Sequence, residues 1–315
     1  MKVFHVGITA PSFSSEAITK SFKDVFGEVH YFDWQFHRFN FGTEGMRSNL
    51  LLEATVYKPD LILLHFNHNS EALSLDNYKQ LSEISTTITY TEDVREDISH
   101  FVNIAPIVSK MIFTNIDDVE TLKSKGFNNA TYLPVSYNDI WYHKQGKTIR
   151  DYGNIVFVGN NHLGNSLNFP KAQERVDMVA ALKKEFGDKF QAYGIGQENK
   201  PLNPQEVVEC YNNTKIAIGQ NNFNRKGYQS DRCLNSMGCG CATIMEWYEG
   251  IKNDFSEIET QSWKSIDELI AMCNLYLSQD WVRQIMSDLE YKIVTENHNW
   301  KNRCEVILKL VNGNS

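Results

Sequence analysis

Apolar residues follow two rhythms along this chain, and the two alternate. Short apolar runs at 3–8 (VFHVGI), 29–34 (VHYFDW), 61–66 (LILLHF), 87–91 (TITYT), 110–114 (KMIFT) and 131–134 (TYLP) have the length and composition of buried strands. Between them, 16–26, 44–57, 75–84 and 117–125 space their apolar residues as one face of a helix. The periodicity fails from 136 to 152 and then restarts. Strands are expected at 154–158 (NIVFV), 190–193 (FQAY), 215–218 (KIAI) and 242–245 (ATIM). Helices are expected at 173–186, 204–211, 265–277, 281–295 and 298–311. Strands that alternate with helices predict parallel βαβ units. Two such series predict two domains, at 1–138 and 153–315, joined by a linker at 139–152. The fold class is therefore α/β, two Rossmann-like parallel-sheet domains. Ligands of open α/β sheets bind beyond the carboxyl ends of the strands, so a cleft with one substrate on each lobe is expected.

One stretch, 227–246 (GYQSDRCLNSMGCGCATIME), combines a loop, a helix, a glycine turn and a buried strand. Ser230 and Asp231 are N-cap candidates, because a short side-chain oxygen can accept from free N–H groups at a helix start. Gly238 and Gly240 end the helix. Arg232 falls in its first turn, where a cation opposes the helix dipole. An anionic partner would reverse that penalty. A solvated arginine is the plainer reading, and the local pattern alone favours it.

Composition narrows the field. A length of 315 residues suits two domains. The formal net charge of −8 supplies no global field for nucleic acid. The first residues lack a secretory signal, and no stretch reaches the apolar length of a membrane span. A cytoplasmic protein is expected. The six cysteines are scattered, and C-x-C at Cys239 and Cys241 is a weak zinc signal, so reduced thiols are expected.

The second half resembles GT-B glycosyltransferases, most closely the CgeB-like group with a Glyco_trans_1-type donor domain. The resemblance rests on FVGN at 157–160 with Arg175 beyond it, Tyr193-Gly194, Tyr211 before KIAIG, and SDRCLNSMGCGC. Asn253-Asp254-Phe255, SIDEL at 265–269 and His298-Asn299-Trp300 with Arg303 complete it. It implies a GT-B fold and a metal-independent glycosyltransferase, with a nucleotide-sugar donor on the second lobe. A UDP-sugar is foremost, and no other cofactor is implied. Gly159 would let backbone N–H groups approach the diphosphate, with Asn160 beside it, and Ser230, Asp231 and Arg232 would meet the phosphates. The acceptor, on the first lobe, would be a polysaccharide, a protein or a modified DNA base. Relatives often carry a glutamate where this chain has Asn235, and an earlier one where it has Gly227. An amide bonds ribose more weakly than a carboxylate. A catalytically silent relative is therefore one alternative, and a sugar-nucleotide epimerase is another, because fold does not fix function.

Further candidates have a plain reading beside the functional one. Glu92 and Asp93 end a strand of the first lobe, as acceptor-activating bases or as helix caps. His65 ends LILLHF and His68 follows, as a base or as a core histidine. His162 could touch phosphate or sugar, or be a solvated loop residue. Tyr193, Asn221 and Glu246 lie at strand ends of the second lobe and complete the donor-side set, with a loop-forming asparagine and a surface carboxylate as the plain readings of the last two.

Overall fold

The computed structural model describes residues 1–9, 15–66, 72–94, 97–164, 169–255 and 261–313. His68 and parts of the loops expected at 9–15 and 159–170 lie outside the described residues. The chain forms two compact units, 1–134 with 300–315 and 135–299.

The first unit runs β1 (Lys2–Gly7), α1 (Ser15–Phe26), β2 (Glu28–Asp33), α2 (Trp34–Tyr57), β3 (Leu61–Leu64), α3 (Leu75–Ile84), β4 (Thr86–Thr91), α4 (Ser99–Ile104), β5 (Lys110–Phe113), α5 (Ile116–Ser124) and β6 (Ala130–Tyr132). Its sheet has the order β2-β1-β3-β4-β5-β6, every pair parallel. All four residues of β3 are buried, because helices cover both faces of a parallel sheet. The strand expected to reach 34 stops at Asp33, whose carboxylate accepts the Phe36 N–H at 2.9 Å and caps α2. That helix begins ten residues before the expected 44, and Gly42 (φ 70°) kinks it. Phe36, Phe39 and Phe41 are exposed, so its first turns carry no apolar stripe to read.

The second unit runs β7 (Ile155–Val158), α6 (Ala172–Phe186), β8 (Phe190–Tyr193), α7 (Pro204–Asn213), β9 (Ile216–Gly219), α8 (Asp231–Gly238), β10 (Ala242–Glu246), α9 (Ile251–Asp254), β11 (Gln261–Trp263), α10 (Ile266–Ser278) and α11 (Asp280–Asn297). Its sheet, again wholly parallel, has the order β11-β10-β9-β7-β8. The α7 start is a full capping box: Asn203 accepts from the Glu206 N–H while Glu206 accepts from the Asn203 N–H, with Pro204 in the first turn.

The expected boundaries shift in two places. Residues 135–152 belong with the second unit, since Tyr137, Tyr142 and Tyr152 are buried in its core. The last helix, α12 (Trp300–Val311), belongs with the first unit. Trp300 is fully buried and meets Tyr90 edge-on at 5.6 Å, and the Arg303 Nε donates to the Pro134 carbonyl at 2.9 Å. The hydrophobic period of α12 is right for a helix but carries no address for the core it joins. All six cysteines are buried and free of disulfides, and burial raises each thiol pKa, which keeps them protonated and unreactive. No described helix is long and apolar enough to cross a membrane.

Glu290, on α11, is fully buried. Its Oε2 accepts the Thr243 N–H at 2.8 Å, and its Oε1 has no hydrogen-bond partner among the described residues. Burial pushes its carboxyl pKa well above the ordinary range. A carboxyl raised on folding contributes full stability below its unfolded pKa and loses it as pH rises toward the folded value. Glu290→Gln keeps an acceptor for Thr243 and removes the titration. Urea midpoints between mildly acidic and mildly alkaline pH should lose a slope of up to about 1.4 kcal/mol per pH unit. An unchanged slope would show that Glu290 is not the group responsible.

Candidate active site

The strand order reverses direction between β7 and β9, which is where an open α/β sheet leaves a crevice at its carboxyl edge. The loop after β7 reaches this edge first. The Gly159 N–H donates to the Tyr193 carbonyl at 2.8 Å, and the Gln197 side chain donates to the Gly159 carbonyl at 2.9 Å. Gly194 (φ 151°) has to be glycine, because a Cβ there would collide with the Gly159 carbonyl. Asn160 Oδ1 accepts the Ile195 N–H at 2.9 Å. Asn161 donates its N–H to the Ile195 carbonyl and its Nδ2 to the Gly196 carbonyl, and its Oδ1 accepts the Leu163 N–H.

This fastening holds His162 in left-handed backbone (φ 62°), an uncommon conformation for a residue with a Cβ. Its half-buried ring stacks on Phe169, centroids 3.9 Å apart and planes 19° apart. Burial first, then the charges of Arg175 and Arg232, push its pKa down to about 4. The imidazole is therefore neutral at ordinary pH.

Arg175, from α6, is almost wholly buried. Its Nη1 donates to the Asn160 carbonyl at 2.7 Å, its Nε to Gln220 Oε1 at 2.9 Å and its Nη2 to the Gln220 carbonyl at 3.3 Å. All three acceptors are neutral. Burial first, then Arg232, lower its pKa. Arg232, in the first turn of α8, approaches the β7 loop: a Cβ placed on Gly159 would lie 3.8 Å from its guanidinium carbon. Among the described residues Arg232 has no hydrogen bond and no ion pair. Ser230 is the N-cap of α8, yet its side chain makes no capping bond. An uncapped helix start, one buried guanidinium hydrogen-bonded only to neutral acceptors and one unengaged guanidinium thus share the crevice. That arrangement favours a ligand with more than one negative charge.

Other candidates turn out to support this edge. Asn221 Oδ1 accepts the Ser230 N–H at 2.9 Å and its Nδ2 donates to the Tyr228 carbonyl, which folds the loop between β9 and α8. Glu246 is buried, pairs with Lys171 and accepts the Asn221 N–H at 3.0 Å. Burial, opposed by Lys171, raises its pKa. The Tyr193 ring is buried in the core, and its carbonyl is what reaches Gly159. Asn235 is buried with both ends of its amide engaged, accepting the Asn138 N–H at 3.1 Å and donating to Asp231 at 3.2 Å. Asp231 is thereby tied into α8.

The sequence pattern does not mark Arg175 and Lys171 as site groups, since basic residues near a helix start look solvated in sequence. It also passes over Gln220 and Gln229, both buried. The Gln220 Nε2 and both polar atoms of the Gln229 amide lack partners among the described residues. Nothing in the sequence pattern marks them beyond their place next to Asn221 and Ser230.

In the first unit, His65 follows β3 and is buried, with its Nε2 2.9 Å from Glu92 Oε2 and its Nδ1 3.5 Å from Ser15 Oγ. Its ring meets Tyr90 edge-on. With both nitrogens occupied, His65 orients Glu92. The more accessible groups at this edge are the half-buried carboxylates Glu92 and Asp93.

Known proteins share this fold. A family model described as "Glycosyl transferase-like" matches residues 174–309. Sucrose-phosphate synthase from Thermosynechococcus elongatus superposes with a TM-score of 0.62 at 9% identity, covering 100% of both chains. HepE from Anabaena, solved with UDP and glucose, superposes with a TM-score of 0.67 at 11% identity, covering 98% of this chain and 99% of its own. A putative UDP-N-acetylglucosamine 2-epimerase from Listeria monocytogenes gives 0.56 at 10% identity, covering 100% and 97%. No curated protein matches in sequence. The family match is confined to residues 174–309, and the whole chain has the two-sheet fold of these solved structures.

Proposed function

We propose that this protein is a glycosyltransferase that takes its sugar from a UDP-sugar, passes it to an acceptor hydroxyl, and needs no metal to do so. The observation that carries the reading is Arg232 in the uncapped first turn of α8, beside Gly159, with the buried Arg175 of α6 bonded to the neighbouring Asn160 carbonyl. As the sugar–phosphate bond breaks, negative charge builds on the diphosphate. Guanidinium groups and backbone dipoles already aimed there stabilise the leaving group without reorganising. The structure of HepE with UDP-glucose supports uridine as the nucleotide. On the first unit, Glu92, held by His65, and Asp93 are the candidate bases for the acceptor. The acceptor is a polysaccharide, a protein or a modified DNA base.

Asn235 favours a second reading, a relative that binds nucleotide sugars without turning them over, because both ends of its amide are spent within the fold. The fold shared with the Listeria protein adds an epimerase as a third. Incubation with UDP-, GDP-, ADP- and TDP-sugars, followed by melting and by NMR of the sugar, separates them. A ligand that binds only the folded state raises the melting temperature, by about 2.7 kcal/mol of stability at a hundredfold excess over Kd. The expected result is a UDP-sugar shift with slow release of UDP. A shift without release indicates the silent binder, and a change of sugar configuration indicates the epimerase.

A further inference from the structure

His162 has features that a solvated loop residue does not need. Its backbone sits at φ 62°, where side chains other than glycine are uncommon, and Asn160 and Asn161 hold the loop there through four hydrogen bonds to Ile195, Gly196 and Leu163. Its ring is fixed by the Phe169 stack. Neither ring nitrogen has a hydrogen-bond partner among the described residues. The charged groups that act on it are Arg175 from α6 and Arg232 from α8, both positive. The carboxylate of this edge, Glu246 at the end of β10, is bound to Lys171 and the Asn221 N–H.

We propose that His162 is a proton-taking contact of the donor diphosphate: as the nucleotide sugar binds, it gains one proton from solvent and donates to a phosphate oxygen. This deepens the donor-site reading above and rests on it. The driving force is electrostatic. Two guanidinium groups and partial burial hold the imidazole neutral. A diphosphate brings two negative charges into the same space, which cancels the field and supplies an acceptor. The ring then changes charge inside its natural range. No bond other than N–H forms, and the proton comes from the buffer. Because more protons are bound in the complex, affinity rises as pH falls, by up to about tenfold per pH unit.

UDP-glucose is the right probe, since each of its phosphates carries one ester and one anhydride linkage and so lacks the second ionisation near about pH 6 of a terminal phosphate. Calorimetric titrations of the full chain with UDP-glucose, at about pH 6 in two buffers of different ionisation enthalpy, count the protons taken up. His162→Asn is the matched variant, because asparagine tolerates left-handed backbone and cannot ionise. The expected result is uptake approaching one proton per UDP-glucose in the native protein. The variant should still bind, with no uptake and with an affinity that varies little between about pH 6 and about pH 8. Binding without buffer dependence in the native protein, or uptake that persists in the variant, overturns the proposal and leaves the donor site standing. Absence of binding by both proteins overturns the donor-site reading and this proposal together.

Discussion

Arg232→Ala should lower kcat/KM for the nucleotide sugar by about 10²–10³-fold, the effect expected when one preorganised donor to a developing oxyanion is removed. The same variant should keep its melting point without ligand, to within roughly 0.5 kcal/mol of stability. The contrast follows from the structure. The guanidinium lies beside Gly159 with no described hydrogen bond or ion pair, and its nearest charged effect is to lower the pKa of buried Arg175. Among the described residues no hydrogen bond or ion pair is lost with it, and removal relieves its repulsion of Arg175. Steady-state kinetics and thermal melting of one preparation give both numbers. A variant that unfolds early would show Arg232 to be a structural residue.

Arg175→Met should behave in the opposite way. The thioether fills much of the same space but leaves the Asn160 carbonyl, Gln220 Oε1 and the Gln220 carbonyl without their donor. Hydrogen bonds from a charged donor contribute about 1.5–3 kcal/mol each. Some of that is offset, because the desolvation cost of a buried charge also goes. We expect a net loss of about 3 kcal/mol or more, read from the urea midpoint at unchanged m-value. Donor affinity should fall as well, since the Asn160 loop that precedes His162 loses its anchor. Full stability in this variant would show that the buried guanidinium is dispensable for the fold.

How far the sequence foretold this structure depended on whether the signal was local. Strands such as 61–66 and 215–218 were legible because a strand buried on both faces is an unbroken apolar run. The short elements were not. Residues 261–263 form a three-residue edge strand and 99–104 a helix of under two turns, both too brief for a period to show. The early start of α2 was hidden by phenylalanines that face solvent. The return of α12 to the first unit was hidden because helical periodicity names a buried face and not its partner.

The site divides along the same line. Gly159, Ser230 and Arg232 were legible as a strand end and a helix start, motifs whose chemistry is written in adjacent residues. Arg175 was not, because its role depends on burial against Asn160 and Gln220, which are distant in sequence. Asn235 and Asn221 illustrate the converse. Their positions invite a ligand role, and the structure shows their amides bonded within the second unit.

The central claim is that a diphosphate sits at the carboxyl edge of β7 and β9. A crystal structure of the protein grown with UDP-glucose tests it directly. The account predicts phosphate density within hydrogen-bond reach of the Arg232 guanidinium, against Gly159 and the first N–H groups of α8. Phosphates bound elsewhere, with Arg232 still unengaged, would contradict it.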